Sequence, residues 1–379
     1  MLSVSEKGNA AIFVAALFFV AGCGAIRGKF DLGDFFRESQ SRQSSLVSNI
    51  RKYDYPYAEL ASNVVLRTRI NSWRLNKLVE FDRKQGVPEW SGLSHVSNNV
   101  FYAVSDRRGV LNRITVDINS RGNGKLFADD AILLKGAKDL EACAYDYLRG
   151  TIWVADEDGP RVMEYDVKSG EMLSELILPK QYLLCRANRS IEAISMSRDG
   201  LSLWVVNEDA ATCDGPPGNA KRGGILRISL FIRRDALDEW RCGGMWAYRA
   251  ERLHGDDYKL MAVSGASAIE VLPDGNVIIL EREFSGAPVP SFRARIYAVD
   301  VSEATDVRHV DNLDGAKVKF AKKKRLFSEN TILAMYEAMA VSPSNDTDGK
   351  CKLVLLSDGG YPAWEKAMIF SLYKERLQK

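Results

Sequence analysis

A unit of about 50 residues recurs five times along the chain, and this recurrence limits the fold more than any other feature. The copies are "WSGLSHVSNNVFYAVSD" (90–106), "DLEACAYDYLRGTIWVADED" (139–158), "SIEAISMSRDGLSLWVVNED" (190–209), "ASAIEVLPDGNVIILERE" (266–283) and "YEAMAVSPSNDTDGKCKLVLLSD" (336–358). Each sets a small or acidic residue before an apolar strand, then a turn of Asp, Asn or Gly, a second apolar strand and an acidic end. A third strand follows in every case: "VLNRITVDI", "RVMEYDV", "GILRISLF", "ARIYAVDV" and "AMIFSLY". The first two copies start 49 residues apart and the next two 51. The later copies stand farther apart and therefore carry insertions, one of them "CDGPPGNAKRGG" (213–224).

A repeat of this length, built of three or four short antiparallel strands, is a propeller blade. One blade cannot bury both of its faces, so blades must pack side by side in a ring. The fold class expected is all-β, a β-propeller, with long helical periodicity scarce. Five units are visible. The strands at 61–85 are expected to join the C-terminal ones and close the ring. A sixth blade, in 295–330 or in that N-terminal stretch, would make the count six.

Composition narrows the function. The 379 residues are 46% hydrophobic and 27% charged with a formal net charge of +2, values of a soluble globular protein with no bias toward nucleic acid. The densest basic run, "KVKFAKKKR" (317–325), alternates with apolar residues and reads as a solvated strand-to-loop edge. Three histidines make histidine-rich metal sites an unpromising expectation. No P-loop, G-x-G-x-x-G, H-E-x-x-H or G-x-S-x-G is present. His95 is the histidine placed nearest the repeated acidic ends, and a packed role suits it better than catalysis. Trp153 and Trp204 fill equivalent second-strand positions, as blade packing requires.

The N-terminus has a polar start, an apolar run from Ala10 to Ala21, and then Val20-Ala21-Gly22-Cys23. The run is too short for a spanning helix and matches a secretory signal. Residues 1–22 are expected to be a lipoprotein signal peptide, Cys23 the lipid attachment, 23–60 a polar tether and 61–379 the propeller. An uncleaved anchor, or plain cleavage nearby, is the alternative. The expected protein is exported, monomeric, and held at a bacterial envelope membrane by its acyl anchor. An oxidising compartment permits disulfides, and Cys213 and Cys242, which flank one insertion, could be bridged.

The acidic ends share a geometry. In an antiparallel hairpin the start of the first strand and the end of the second lie together. Glu141, Glu192 and Glu337 should therefore meet Asp106, Asp156, Glu281 and Asp358 on one face of the ring, joined by Asn207, Glu208 and Asp209. The matching positions of units one and four hold Gly92 and Ala268. Converging carboxylates repel unless neutralised, and Ca²⁺ or another divalent cation suits them. Glu141, Glu192, Glu337, Asp106, Asp156 and Asp358 are the candidate ligands; no catalytic residue is assigned. Capping of the turn is the alternative for any single Asp.

With these motifs assembled, over about 90–373 the chain resembles the family described as esterase-like activity of phytase, a phytase-like propeller. The resemblance rests on "SGLS…FYAVSD", "DLEACAYD…IWVADEDGP", "SIEAIS…LWVVNED", "AIEVLPDGNVIILERE" and "YEAMAVS…LLSDGG". Where the family pattern has Glu-Gly, this chain has Glu141-Ala142, Glu192-Ala193 and Glu337-Ala338. The resemblance implies hydrolysis of a small phosphorylated or carboxylic ester substrate in an exported protein. A non-catalytic propeller binding an envelope protein or glycan is one alternative, and a metal-dependent lactonase-like propeller is another.

Overall fold

The computed structural model describes residues 73–82, 90–106, 109–118, 124–254, 262–285, 291–331, 334–343, 350–358 and 366–374. Expectations for the signal peptide, the tether and Cys23 fall outside these residues. Twenty described strands form five antiparallel sheets of four. Strand β1 (Trp73–Asp82) comes first among the described residues. Blade I is β2 (Gly92–Ser97), β3 (Val100–Ser105), β4 (Val110–Ile118) and β5 (Gly124–Leu133). Blade II is β6 (Leu140–Asp146), β7 (Thr151–Asp156), β8 (Arg161–Tyr165) and β9 (Met172–Glu175). Blade III is β10 (Ile191–Met196), β11 (Ser202–Asn207), β12 (Ile225–Ile232) and β13 (Arg241–Arg249). Blade IV is β14 (Val263–Val271), β15 (Val277–Ser285), β16 (Ser291–Asp300) and β17 (Lys322–Thr331). Blade V is β18 (Tyr336–Pro343), β19 (Cys351–Ser357) and β20 (Lys366–Lys374), completed by β1.

The five repeats are thus the five blades. Among the described residues neither place expected to hold a sixth forms one: β16 and β17 are the outer half of blade IV, and β1 is the outer strand of blade V. Ring closure follows the sequence expectation. Strand β1 runs antiparallel to β20 from Trp73↔Lys374 to Asp82↔Lys366, so the two ends of the propeller share one sheet.

Continuous apolar runs rather than alternation mark the inner strands, because each blade is covered on both faces. Every residue of β7 and β10 is buried, whereas every residue of the outer strand β9 is exposed. Among the described residues the core divides into five apolar clusters, one at each junction between neighbouring blades. Trp153 packs at the junction of blades II and III, and Trp204 at that of III and IV, so these tryptophans serve blade packing. Excursions at 213–224 and 301–321 fold back on blade III. Buried Arg227 on β12 clamps them, giving Asp214 two hydrogen bonds of 2.6 and 2.7 Å while also donating to the Val310 carbonyl. All five described cysteines are free thiols, so Cys213 and Cys242 are not bridged; Cys242 lies inside β13 and donates to the Gly244 carbonyl instead.

First strands of the five blades form the innermost ring, each beside the next and β18 beside β2. At the level of Gly92 this ring has no room for a methyl group. A Cβ there would stand 2.6 Å from Ala142 Cα and 2.7 Å from Val104 Cγ2. Gly92→Ala is expected to destabilise the propeller by about 1–3 kcal/mol in denaturant unfolding. Because the nearest contact is backbone, Val104→Ala in the same chain should recover only part of that loss. A neutral Gly92→Ala would mean that blades I and II lie farther apart than described.

Candidate functional site

Strand pairing decides which residues of the repeats are truly equivalent. In blade II, Leu140 pairs with Asp156 and Ala142 with Ala155, so Glu141 is an extra residue, a β-bulge. Blade III repeats this with Ile191↔Asn207 and Ala193↔Val206 around Glu192. Blade V has Tyr336↔Ser357 and Ala338↔Leu356 around Glu337, and blade IV has Ala266↔Glu281 and Ala268↔Leu280 around Ser267. In blade I, Gly92 pairs with Val104 and the Ser91 N–H donates to the same Val104 carbonyl, which puts Ser91 in the bulge position. The ring row is therefore Ser91, Glu141, Glu192, Ser267 and Glu337, all buried. Serine, not Gly92 or Ala268, holds the matching positions of units one and four.

The same register defines a second row, two residues beyond the partner of the residue that follows each bulge: Asp106, Glu157, Glu208, Arg282 and Asp358. Asp156 belongs to a different row. Its carboxylate accepts the backbone N–H groups of Lys138 (3.0 Å), Asp139 (3.3 Å) and Asp158 (3.0 Å), a turn cap. Glu281 is likewise turned into its blade, accepting the Tyr248 hydroxyl at 2.6 Å and the Glu251 N–H at 2.8 Å.

Residues of the second row stitch blades together. Glu157 of blade II accepts the Ser190 N–H of blade III at 2.5 Å, and Asp358 of blade V accepts the Ser91 hydroxyl of blade I at 3.3 Å. Arg282 of blade IV reaches in both directions. Its guanidinium donates to Glu192 and Glu208 of blade III, both at 2.9 Å, and is ion-paired with Glu337 of blade V.

Arg282 thereby splits the acids named from the sequence. Glu192 and Glu337 are bound to it. Glu141, across the mouth, instead meets Asp139 and Glu157, with one ligand oxygen from each lying within 4.8 Å of the others. Burial drives the Glu141 carboxyl well above the usual carboxylate range, helped by the negative charges of Glu192, Glu157, Asp139 and Asp106. Glu157 is raised in the same way, by burial and then by Glu192 and Glu208. Burial first, then Asp156 and Asp158, lifts Asp139 to about 6. Glu192 is pushed up to about 8 by burial even with Arg282 beside it. Such a group must either hold protons or hold a cation.

Below the acids the channel is nearly full. A cavity of about 10 Å³ remains between Glu141, Ser91 and Ser267 and the small residues Gly92, Ala142, Ala193, Ala268 and Ala338, with Leu93, Cys143, Ile194, Ile269 and Met339 as its floor. That is room for one water molecule, so any larger ligand must sit at the mouth. His95 lies four residues farther along β2, toward the opposite end. Its Nε2 donates to the Asn98 carbonyl at 2.9 Å, Arg198 donates to its Nδ1 at 2.8 Å, and burial lowers its pKa to about 4. It is a packed neutral imidazole, edge-on to Phe101, and not a base for the acidic mouth. Asp139, Glu157 and Arg282 were not among the ligands expected from the sequence, although each lay inside a quoted repeat; only the pairing register separates them from their neighbours.

A family model described as "Phytase-like: Esterase-like activity of phytase" matches residues 85–360. No curated protein matches the chain. Among solved structures, a streptogramin B lyase is 10% identical with a TM-score of 0.30, the match covering 82% of this chain and 100% of that one. An endo-arabinase from Bacteroides thetaiotaomicron is 10% identical with a TM-score of 0.41, covering 78% and 99%. The aldose sugar dehydrogenase of Streptomyces coelicolor is 9% identical with a TM-score of 0.36, covering 79% and 98%. With five blades in the order of its five repeats, and with the family model running from blade I through β19 of blade V, the chain belongs to the phytase-like family described as esterase-like activity of phytase.

Proposed function

We propose that the acidic mouth binds a divalent cation of the Ca²⁺ type through Asp139, Glu141 and Glu157 and hydrolyses phosphate or carboxylic esters there. The observation that carries this reading is the approach of those three carboxylates to within 4.8 Å, in a buried setting that raises the pKa of each. Three oxygen donors suit a hard cation and leave coordination positions for water and substrate. The bound ion would polarise the ester and lower the pKa of its water. The chain's own groups do the rest. The filled channel holds the substrate outside, and Arg282, held by Glu192, Glu208 and Glu337, places a positive charge beside it.

A structural ion in a non-catalytic propeller is the second reading, favoured by one observation: Glu157 and Arg282 also tie neighbouring blades together. Its ligand would then be an envelope protein or glycan. The family membership also supports export, and we propose that Cys23 carries the lipid anchor; Cys23→Ser should release the protein from membranes, and continued membrane association would refute the anchor.

Calorimetric titration with Ca²⁺ and with Mn²⁺ tests the metal. Glu141→Gln/Glu157→Gln is expected to weaken binding by on the order of 100-fold and to abolish turnover of p-nitrophenyl phosphate or short acyl esters. Absence of binding by the wild type would sink the metal reading, and binding without turnover would select the structural ion.

The pH dependence has a definite sign. Glu192 titrates near 8 in the fold against an ordinary 4.5, so between these values the folded chain holds a proton that the unfolded chain has released. Its contribution is full below 4.5 and lost as the pH rises through about 8. Metal-free protein should therefore melt at lower temperature at pH 8 than at pH 5. Glu192→Gln should flatten that fall, and Ca²⁺ should restore stability at pH 8. A melting temperature that rises over this range would contradict the assignment.

A further inference from the structure

Blades II and III present the same arrangement twice. Asp139, Glu141 and Glu157 of blade II correspond in register to Ser190, Glu192 and Glu208 of blade III. The backbone agrees, because the Glu157 N–H donates to the Asp139 carbonyl and the Glu208 N–H to the Ser190 carbonyl, both at 2.8 Å. Glu157 also belongs to a second group of three, in which one oxygen each of Glu157, Glu192 and Glu208 lie within 4.8 Å of one another. One carboxylate is thus shared by two adjacent oxygen cages.

The second cage already faces a cation. The next residue in the row, Arg282 of blade IV, donates to Glu192 and Glu208 at 2.9 Å each. Beside the cage lies Ser190, 2% exposed, whose N–H donates to Glu157 and whose hydroxyl makes no hydrogen bond. Ser190 occupies in blade III the position from which Asp139 contributes its carboxylate in blade II.

We propose that the mouth is a two-cation site in which Arg282 permanently fills the second position, so that one exchangeable divalent ion sits beside a fixed guanidinium with Glu157 between them. This rests on the reading that Asp139, Glu141 and Glu157 bind an ion. A bridging carboxylate between two positive centres is how paired-metal sites hold the attacking and leaving oxygens of a displacement. Here a guanidinium stands for one metal. Its N–H groups hold Glu192, Glu208 and Glu337, so it would act on a phosphoryl or tetrahedral oxyanion as a fixed positive charge beside the ion.

The test is stoichiometry with Mn²⁺ as the probe, by calorimetry and by electron paramagnetic resonance. Wild type is expected to bind one ion and Arg282→Gln two, the second detected by spin coupling to the first. Arg282→Lys, which keeps the charge, should return to one. One ion in both wild type and Arg282→Gln would overturn the two-cation site while leaving the metal reading intact. No ion in the wild type would overturn the metal reading itself. Should Arg282→Gln fail to fold even with Mn²⁺ present, Glu208→Gln decides. It should leave Mn²⁺ affinity within about threefold of wild type, whereas Glu141→Gln lowers it by on the order of tenfold. A larger loss in Glu208→Gln than in Glu141→Gln would place the ion in the second cage and refute the assignment.

Discussion

Five first strands converging on one axis set the terms for everything else in this molecule. Closing a ring with only five blades brings the inner strands so near that blade I needs Gly92 against Ala142 Cα, and the other blades place alanine at the same level. Leu93, Cys143, Ile194, Ile269 and Met339 stand one residue deeper. Side chains at the strand starts therefore stand at the mouth, above the glycine and alanines. The β-bulges assist, because an extra residue in each first strand leaves Glu141, Glu192 and Glu337 out of the ladder and free to turn toward the axis. A packing constraint on backbone therefore concentrates carboxylates at one end of the ring.

That concentration would be untenable if the five blades were alike. Breaking the symmetry is Arg282's contribution. It stands where blades II and III carry Glu157 and Glu208, and its charge is shared by three carboxylates from two neighbouring blades. Removing one partner from such a buried network leaves the others uncompensated, which is why the blades at this mouth are held as a unit. The side of the mouth away from Arg282, where Asp139, Glu141 and Glu157 meet, lacks any comparable guanidinium contact among the described residues.

Most of the architecture was legible because a propeller writes its fold as a repeat. The five quoted units became five blades, the third strands fell where expected, and the N- and C-terminal strands closed the ring. The blade count was overestimated because outer strands β16, β17 and β1 resemble an incomplete blade when their partners are unknown. The site was legible only in part, for a different physical reason. Matching repeats by their apolar letters aligns Gly92 and Ala268 with the glutamates, since a bulge adds a residue without changing the hydrophobic pattern. The true equivalents, Ser91 and Ser267, appear only once the hydrogen-bond register is known. The same one-residue shift separates Asp156, a turn cap, from Glu157, a mouth residue. Arg282 was hidden within "ILERE", where flanking glutamates made the segment read as simply acidic.

The alanines that replace the glycines of the family pattern now have a physical reading. In "EA" of blades II, III and V the methyl group lines the residual cavity beneath the acids, and only in blade I does the neighbouring blade forbid it. Each methyl removes space that water would otherwise fill beneath a carboxylate. A drier floor raises the free energy of the ionised acids above it, which is the direction seen for Glu141 and Glu192. The substitution thus leaves the acid in place and strengthens its demand for a proton or a cation. It makes the mouth of this propeller harder to leave uncompensated than a Glu-Gly ring of the same shape.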